Sequence, residues 1–239
     1  RREDVIIASK VFFNEGGLSK EAIKREIDQS LLRLGTDYLD LYLIHRFDYN
    51  IPIEETMDAL NDLVKSGKVR SLGSSSILAY QMLMYQNFAK EKGYARFEVM
   101  ENHYNLLYRE EEREMIPLCK ELDVSLIPYS PLAAGHLARI NWDSDSIRSL
   151  SDDVAKRRYG ASEDVDKLII ERVAELAKKR NIKMSEVALF WLYKKGVASP
   201  IIGASKTKYI DDAINALNVE LSDEEVSYLE ELYVPHPLK

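Results

Sequence analysis

The chain has 239 residues, 46% hydrophobic and 31% charged, the make-up of a folded globular protein rather than a disordered one. Its 33 Lys and Arg against 40 Asp and Glu give a net charge of −7, which argues against nucleic acid as a general partner. One Cys excludes an internal disulfide framework and a cysteine-rich metal site, and no apolar run approaches the ~18 residues of a membrane span.

Arg1 to Asp4 is charged, and the apolar run Val5–Ala8 is too short for a secretory leader, so a cytoplasmic location is expected. That β-branched run is the first expected strand. A helix follows over Ser19–Leu34, with Ser19 as N-cap, Ala22, Ile23, Ile27, Leu31 and Leu34 on one face, and Gly35 closing it. Leu39–Ile44 is a near-continuous apolar run of strand length. Ile53–Val64 reads as a helix between Pro52 and Gly67. Val69–Ser74 is the third strand, Leu78–Lys92 a helix ending at Gly93, and Phe97–Met100 the fourth strand. Glu110–Leu122 is expected to be helical and Val124–Tyr129 to be the fifth strand. The polar stretch from Arg139 to Ser162 has no clear period and reads as a loop. Helices follow over Glu163–Lys179 and Ser185–Lys195, then a sixth strand over Ala198–Gly203. The last helices are Lys206–Leu217 and Ser222–Leu232, the latter opened by the capping box Ser222-Asp223-Glu224-Glu225.

No low-complexity linker divides the chain, which is read as one domain over residues 1–239. Apolar strands alternating with helices predict an α/β fold with a parallel sheet covered on both faces. Two architectures answer that description. An open doubly wound sheet would carry G-x-G-x-x-G after its first strand, and nothing like it follows Ala8. A closed (β/α)8 TIM barrel needs eight strands, and six are counted. The expectation is therefore a barrel lacking about its first two βα units.

In a barrel the chemistry gathers at the C-terminal ends of the strands. Those positions carry Lys10, His45, Ser74-Ser75-Ser76, Glu101-Asn102, Tyr129-Ser130 and Gly203-Ala204-Ser205-Lys206. A Lys beside a His can polarise a proton donor and a carbonyl. A Tyr face can stack on a flat ring, and a helix N-terminus with a Lys can hold a phosphate. Each has an ordinary reading taken alone: Lys10 as a surface lysine, His45 as a hydrogen-bonded structural histidine, Tyr129 as packing, the Ser and Gly runs as turns. Their convergence at the same end of successive strands favours a site.

The stretches Tyr38–Asp48 (YLDLYLIHRFD), Lys65–Arg70 (KSGKVR) and Ile127–Gly135 (IPYSPLAAG) resemble the aldo-keto reductases, more closely the branch related to potassium-channel β-subunits. The resemblance runs through the tail Tyr233–Pro237. It implies a (β/α)8 barrel that binds NADP(H) and reduces the carbonyl of an aldehyde or ketone, a small-molecule substrate. It places Lys10 and His45 in a catalytic tetrad of Asp, Tyr, Lys and His. The family's Asp and Tyr belong to a D-T-A-x-x-Y-G motif absent from this sequence, and are expected upstream of Arg1. By the same resemblance Ser75 and Ser76 meet the nicotinamide carboxamide, and Tyr129 stacks on the ring. Ser130, Leu132 and Gly135 hold the pyrophosphate. Gly203, Ser205 and Lys206 meet the adenosine 2′-phosphate, with Tyr209 and Asp212 nearer the adenine. Glu101 departs from the pattern, since the family usually has Gln there to bond the carboxamide.

No metal is expected, because His103, His136 and His236 are too scattered for ligand spacing. Cys119, at apolar spacing with Met115 and Leu122, reads as core. A homo-oligomer is left open. The rival to an NADP-dependent enzyme is a non-catalytic cofactor-binding module or an inactive truncated relative.

Overall fold

The computed structural model describes residues 1–141 and 153–237. The chain forms two compact units. The first holds residues 1–102 and 114–125, and the second holds 103–113 and 126 onward.

The first unit is built on parallel strands β1 (Ala8–Val11), β2 (Leu39–Ile44), β3 (Val69–Ser75) and β4 (Phe97–Glu101). The sheet order is sequential, ending in the two-residue β5 (Ser125–Leu126). Helices α1 (Lys20–Leu34), α2 (Ile53–Lys65), α3 (Ala79–Lys92) and α4 (Met115–Glu121) join the strands. Ser19 caps α1 as its sequence predicts, its hydroxyl accepting from the Ala22 amide at 3.3 Å. Strands buried on both faces explain the apolar runs: Leu39, Tyr42, Leu43, Ile44, Leu72 and Phe97 are all at most 1% exposed. Paired residues in a parallel ladder share a face. Ser75 is paired with Glu101, and Ser74 with Met100, whose sulfur lies 3.2 Å from the Ser74 hydroxyl.

Several expected boundaries move, each for a local reason. The first strand is Ala8–Val11, not Val5–Ala8. The Asp40 carboxylate takes the Ile7 amide at 2.9 Å, and the ladder starts only with Ala8 opposite Leu41. Lys10 thus lies within β1 rather than after it. The expected fifth strand shrinks to Ser125–Leu126, and no ladder forms over Ala198–Gly203. Pro128 and Pro200 remove donors there. Isolated parallel bridges, His103 with Tyr129 and Tyr129 with Ile201, are what remains in the second unit. The Glu110–Leu122 helix begins instead as a 3-10 turn at Glu110–Glu112.

The second unit packs α5 (Asp153–Tyr159), α6 (Glu163–Arg180), α7 (Met184–Lys194), α8 (Thr207–Asn215) and α9 (Asp223–Glu230). α5 corrects the loop expected over Arg139–Ser162, of which residues 142–152 lie outside the described residues. Its last turn carries Lys156, Arg157 and Arg158, cations suited to a helix C-terminus. The Ser222 capping box forms as expected. Arg109 holds Glu112 at 2.8 Å and Glu230 at 3.2 Å, while Trp191 Nε1 donates to Glu230 at 2.7 Å. The C-terminal tail is tied at several points: Glu110 accepts from the Tyr233 hydroxyl at 2.7 Å and from the His236 amide at 2.8 Å, the Arg109 amide donates to the same hydroxyl at 2.8 Å, and His236 Nε2 lies 3.1 Å from Asp166.

Candidate functional site

In the first unit the strand ends bring Lys10, His45, Ser75, Ser76 and Glu101 onto one sheet. The Lys10 ammonium is 2.8 Å from the Glu101 carboxylate, whose side chain is only 6% exposed. Glu101 therefore has a cation for a partner, where the family resemblance puts a Gln facing a carboxamide. His45 follows β2 directly, its amide donating to Val11 at 2.9 Å. Phe13 meets its ring edge-on at 4.8 Å. Burial, then the charges of Lys10 and Arg46, hold the His45 pKa below its usual value, so the neutral imidazole is favoured. The Ser75 hydroxyl is buried and has no hydrogen-bond partner among the described residues. Ser76 turns out of the strand at φ 49°, its amide donating to the Glu101 carbonyl at 3.0 Å.

In the second unit a cavity of about 830 Å³ is lined by Tyr129, Ser130, Leu132, Gly135, Gly203, Ser205, Tyr209 and Asp212, eight of the residues singled out in the sequence. Lys206, the ninth in this unit, is exposed at the N-cap of α8 and does not line it. Three cations that the sequence reading missed, Arg139, Arg158 and Lys183, also line it, together with Tyr159. Lys183 is ion-paired with Asp212. The Arg158 guanidinium stands 5.0 Å from the Tyr129 ring centroid. The only signal for Arg158 was the basic run Lys156–Arg158, which falls in the stretch taken for a loop.

The loop from Tyr129 to Arg139 is shaped by left-handed backbone at Ser130, Ala133, Ala134 and Gly135. Gly135 has φ +99°, and a Cβ there would stand 2.7 Å from Arg139 Nη1. Glycine is favoured because that φ strains any side chain, while the Arg139 guanidinium is the end of a flexible side chain that could shift. Hydroxyls, a bent backbone, an aromatic ring and arginines suit a ligand with a flat ring and phosphates. A dinucleotide has that chemistry, and the donor set fits it.

Among the described residues no group of three or more His, Cys, Asp or Glu could hold a metal, and no helix is long and apolar enough to cross a membrane.

The family model described as "Aldo/keto reductase family" matches residues 1–234. An aldo-keto reductase of Fusarium vanettenii is 51% identical over 232 residues, which is 97% of this chain and 62% of the relative. An aldo-keto reductase of Metarhizium robertsii is 46% identical over 232 residues, again 97% and 62%. The versiconal hemiacetal acetate reductase of Aspergillus parasiticus is 45% identical over 230 residues, 95% of this chain and 67% of that protein. The chain thus spans about three-fifths of the length of the first two.

Proposed function

Because the chain belongs to the aldo/keto reductase family, a family of (β/α)8-barrel oxidoreductases, we propose that it carries most of an NADP(H)-dependent carbonyl reductase acting on a small aldehyde or ketone. The parallel sheet with its joining helices agrees with part of such a barrel. The observation that carries the cofactor reading is the second unit's cavity, where the Ser130–Gly135 turn, Ser205 and the guanidiniums of Arg139 and Arg158 come together.

When bound, the dinucleotide supplies a hydride. The chain's own residues bind, orient and supply charge. Tyr129 offers a ring face for the nicotinamide. Gly135 and Ser130 would let backbone approach the pyrophosphate, and Ser205, with Lys206 beside it, would meet the 2′-phosphate end. The family resemblance assigns the carboxamide to Ser75 of the first unit, whose buried hydroxyl has no hydrogen-bond partner among the described residues. Neutral His45 orients the carbonyl oxygen by a hydrogen bond. Lys10 places a positive charge beside the proton donor, which the family resemblance assigns to a Tyr outside this sequence. Glu101 holds Lys10 through their ion pair.

The test is equilibrium titration of the full-length protein with NADPH and with NADH. Tighter binding of NADPH is expected. Equal binding would refute the role given to the phosphate-facing residues, and failure to bind either would refute the cofactor reading.

A further inference from the structure

Beneath Tyr129 the second unit holds a column of packed rings. His103 lies parallel to Tyr129, the centroids 5.3 Å apart and the planes 4° apart. Tyr108 stacks on His103 at 4.3 Å and 17°. Tyr108 in turn meets His236 edge-on at 6.2 Å, and His236 stacks on Tyr233 at 5.5 Å. The column therefore runs from the C-terminal tail to the cavity wall.

Hydrogen bonds fix the column where it reaches the wall. Asn105 Nδ2 has two protons and two good acceptors, the Ser130 carbonyl at 2.9 Å and the Tyr159 hydroxyl at 3.1 Å. Burial drives the Tyr159 pKa up, so its hydroxyl keeps a proton to give. That proton has an acceptor in His103 Nε2, 2.8 Å away. His103 and Asn105 are both buried, and neither lines the cavity, whereas Tyr129, Ser130 and Tyr159 all do. One buried histidine thus stacks on one lining ring and is hydrogen-bonded to another.

We propose that His103 is a positioning residue that sets the plane of Tyr129 for a flat ring stacked in the cavity, so that recognition of the nicotinamide end of the dinucleotide depends on it. The proposal rests on the cofactor reading above. Offset-parallel stacking is one of the favoured geometries of aromatic pairs, and a Tyr with no ring behind it can tilt away from that plane. The effect belongs to the ring end of the ligand and not to its phosphates.

The full-length protein is titrated with NADPH and with 2′-phospho-ADP-ribose, which has the phosphates and adenosine but no nicotinamide. His103→Ala is expected to weaken NADPH about tenfold and to leave the fragment within about twofold. His103→Phe keeps a ring behind Tyr129 and should bring NADPH back within about threefold of wild type. His103→Leu fills the space without a ring and serves where the Ala variant does not fold; it should behave as His103→Ala. Equal weakening of NADPH and the fragment would overturn the proposal, because that is what general loosening of the cavity does. So would a folded Ala or Leu variant that binds NADPH as wild type does. Wild-type protein that bound neither ligand would remove the cofactor reading itself, and the proposal with it.

Discussion

Lys10 Nζ lies 2.8 Å from Glu101 Oε2, joining the first and fourth strands of the sheet through a buried carboxylate. A Gln at position 101 could both donate and accept, whereas an ionised Glu only accepts, and a lysine ammonium is a donor suited to it. The pair has a measurable consequence at His45. Three causes hold the His45 pKa down: burial, Lys10 and Arg46. Glu101→Gln leaves Lys10 without its counter-charge, so the His45 pKa should fall further. Lys10→Met removes one repulsive charge, so it should rise, while staying below the ordinary value because burial persists. Histidine titration by NMR checks both. A His45 pKa unmoved by Glu101→Gln would show that the carboxylate does not offset Lys10.

The same histidine affects stability, with a definite sign. A pKa held below the ordinary histidine value of 6.5 means that the unfolded chain binds protons more readily. Stability should therefore decline as pH falls through 6.5 and reach its full loss below the folded-state pKa. His45→Gln should flatten that part of the curve in denaturant titrations. An unchanged slope would mean that other groups set it.

Glu110 and Glu112 work in the opposite range. Burial pushes the Glu110 pKa up, but hydrogen bonds from Tyr233, the His236 amide and Arg113 outweigh it. Glu112 is likewise pushed up by burial and pulled lower overall by Arg109 and Tyr104. Carboxylates with depressed pKa values add stability above 4.5 and lose it as pH falls through their folded values. Acid should thus loosen the C-terminal tail, since Glu110 accepts from both Tyr233 and the His236 amide, with the Arg109 amide and Asp166 as the remaining ties. The protection factor of the His236 amide, taken against the intrinsic rate at each pH, should fall below 4.5 in the wild type and already be low at neutral pH in Glu110→Ala. Protection that stays high in both would contradict this anchoring.

Gly135 is the most exacting backbone position in the cavity wall. Gly135→Ala forces a side chain into φ +99° and against Arg139 Nη1, which would be 2.7 Å away. The cost should be about 1–2 kcal/mol of stability. Arg139 must move, so NADPH should weaken as well. Gly135→Ala matching wild type in both urea midpoint and NADPH affinity would show that the loop adapts.

Much of this fold was legible because its signals are local. Ser19 and Ser222 cap their helices where hydroxyl and carboxyl spacing says they must, and Leu39–Ile44 is a strand because both its faces are buried. The failures are tertiary. Nothing in Val5–Ala8 says that the Asp40 side chain will take the Ile7 amide and delay the first ladder to Ala8. α5 has too few apolar positions for a helical period. That hid Arg158 and Tyr159, which line the cavity. His103 looked idle because a histidine's neighbours in sequence do not show the rings that stack on it. Glu101 was recognisable as a departure from the family resemblance, but its partner, Lys10, lies 91 positions earlier in the sequence.

The measurement that bears most directly on the proposed activity is turnover by the full-length protein, followed as loss of NADPH absorbance on adding a panel of small aldehydes and ketones. Lys10→Met and His45→Ala run alongside. The expected result is aldehyde-dependent NADPH oxidation in the wild type. Both variants should fall by about a hundredfold or more in kcat and keep near-wild-type NADPH affinity, as groups acting on proton transfer and carbonyl orientation should. Wild-type protein that binds NADPH but oxidises it with no carbonyl, or variants with unchanged kcat, would contradict the account and leave a cofactor-binding module in place of an enzyme.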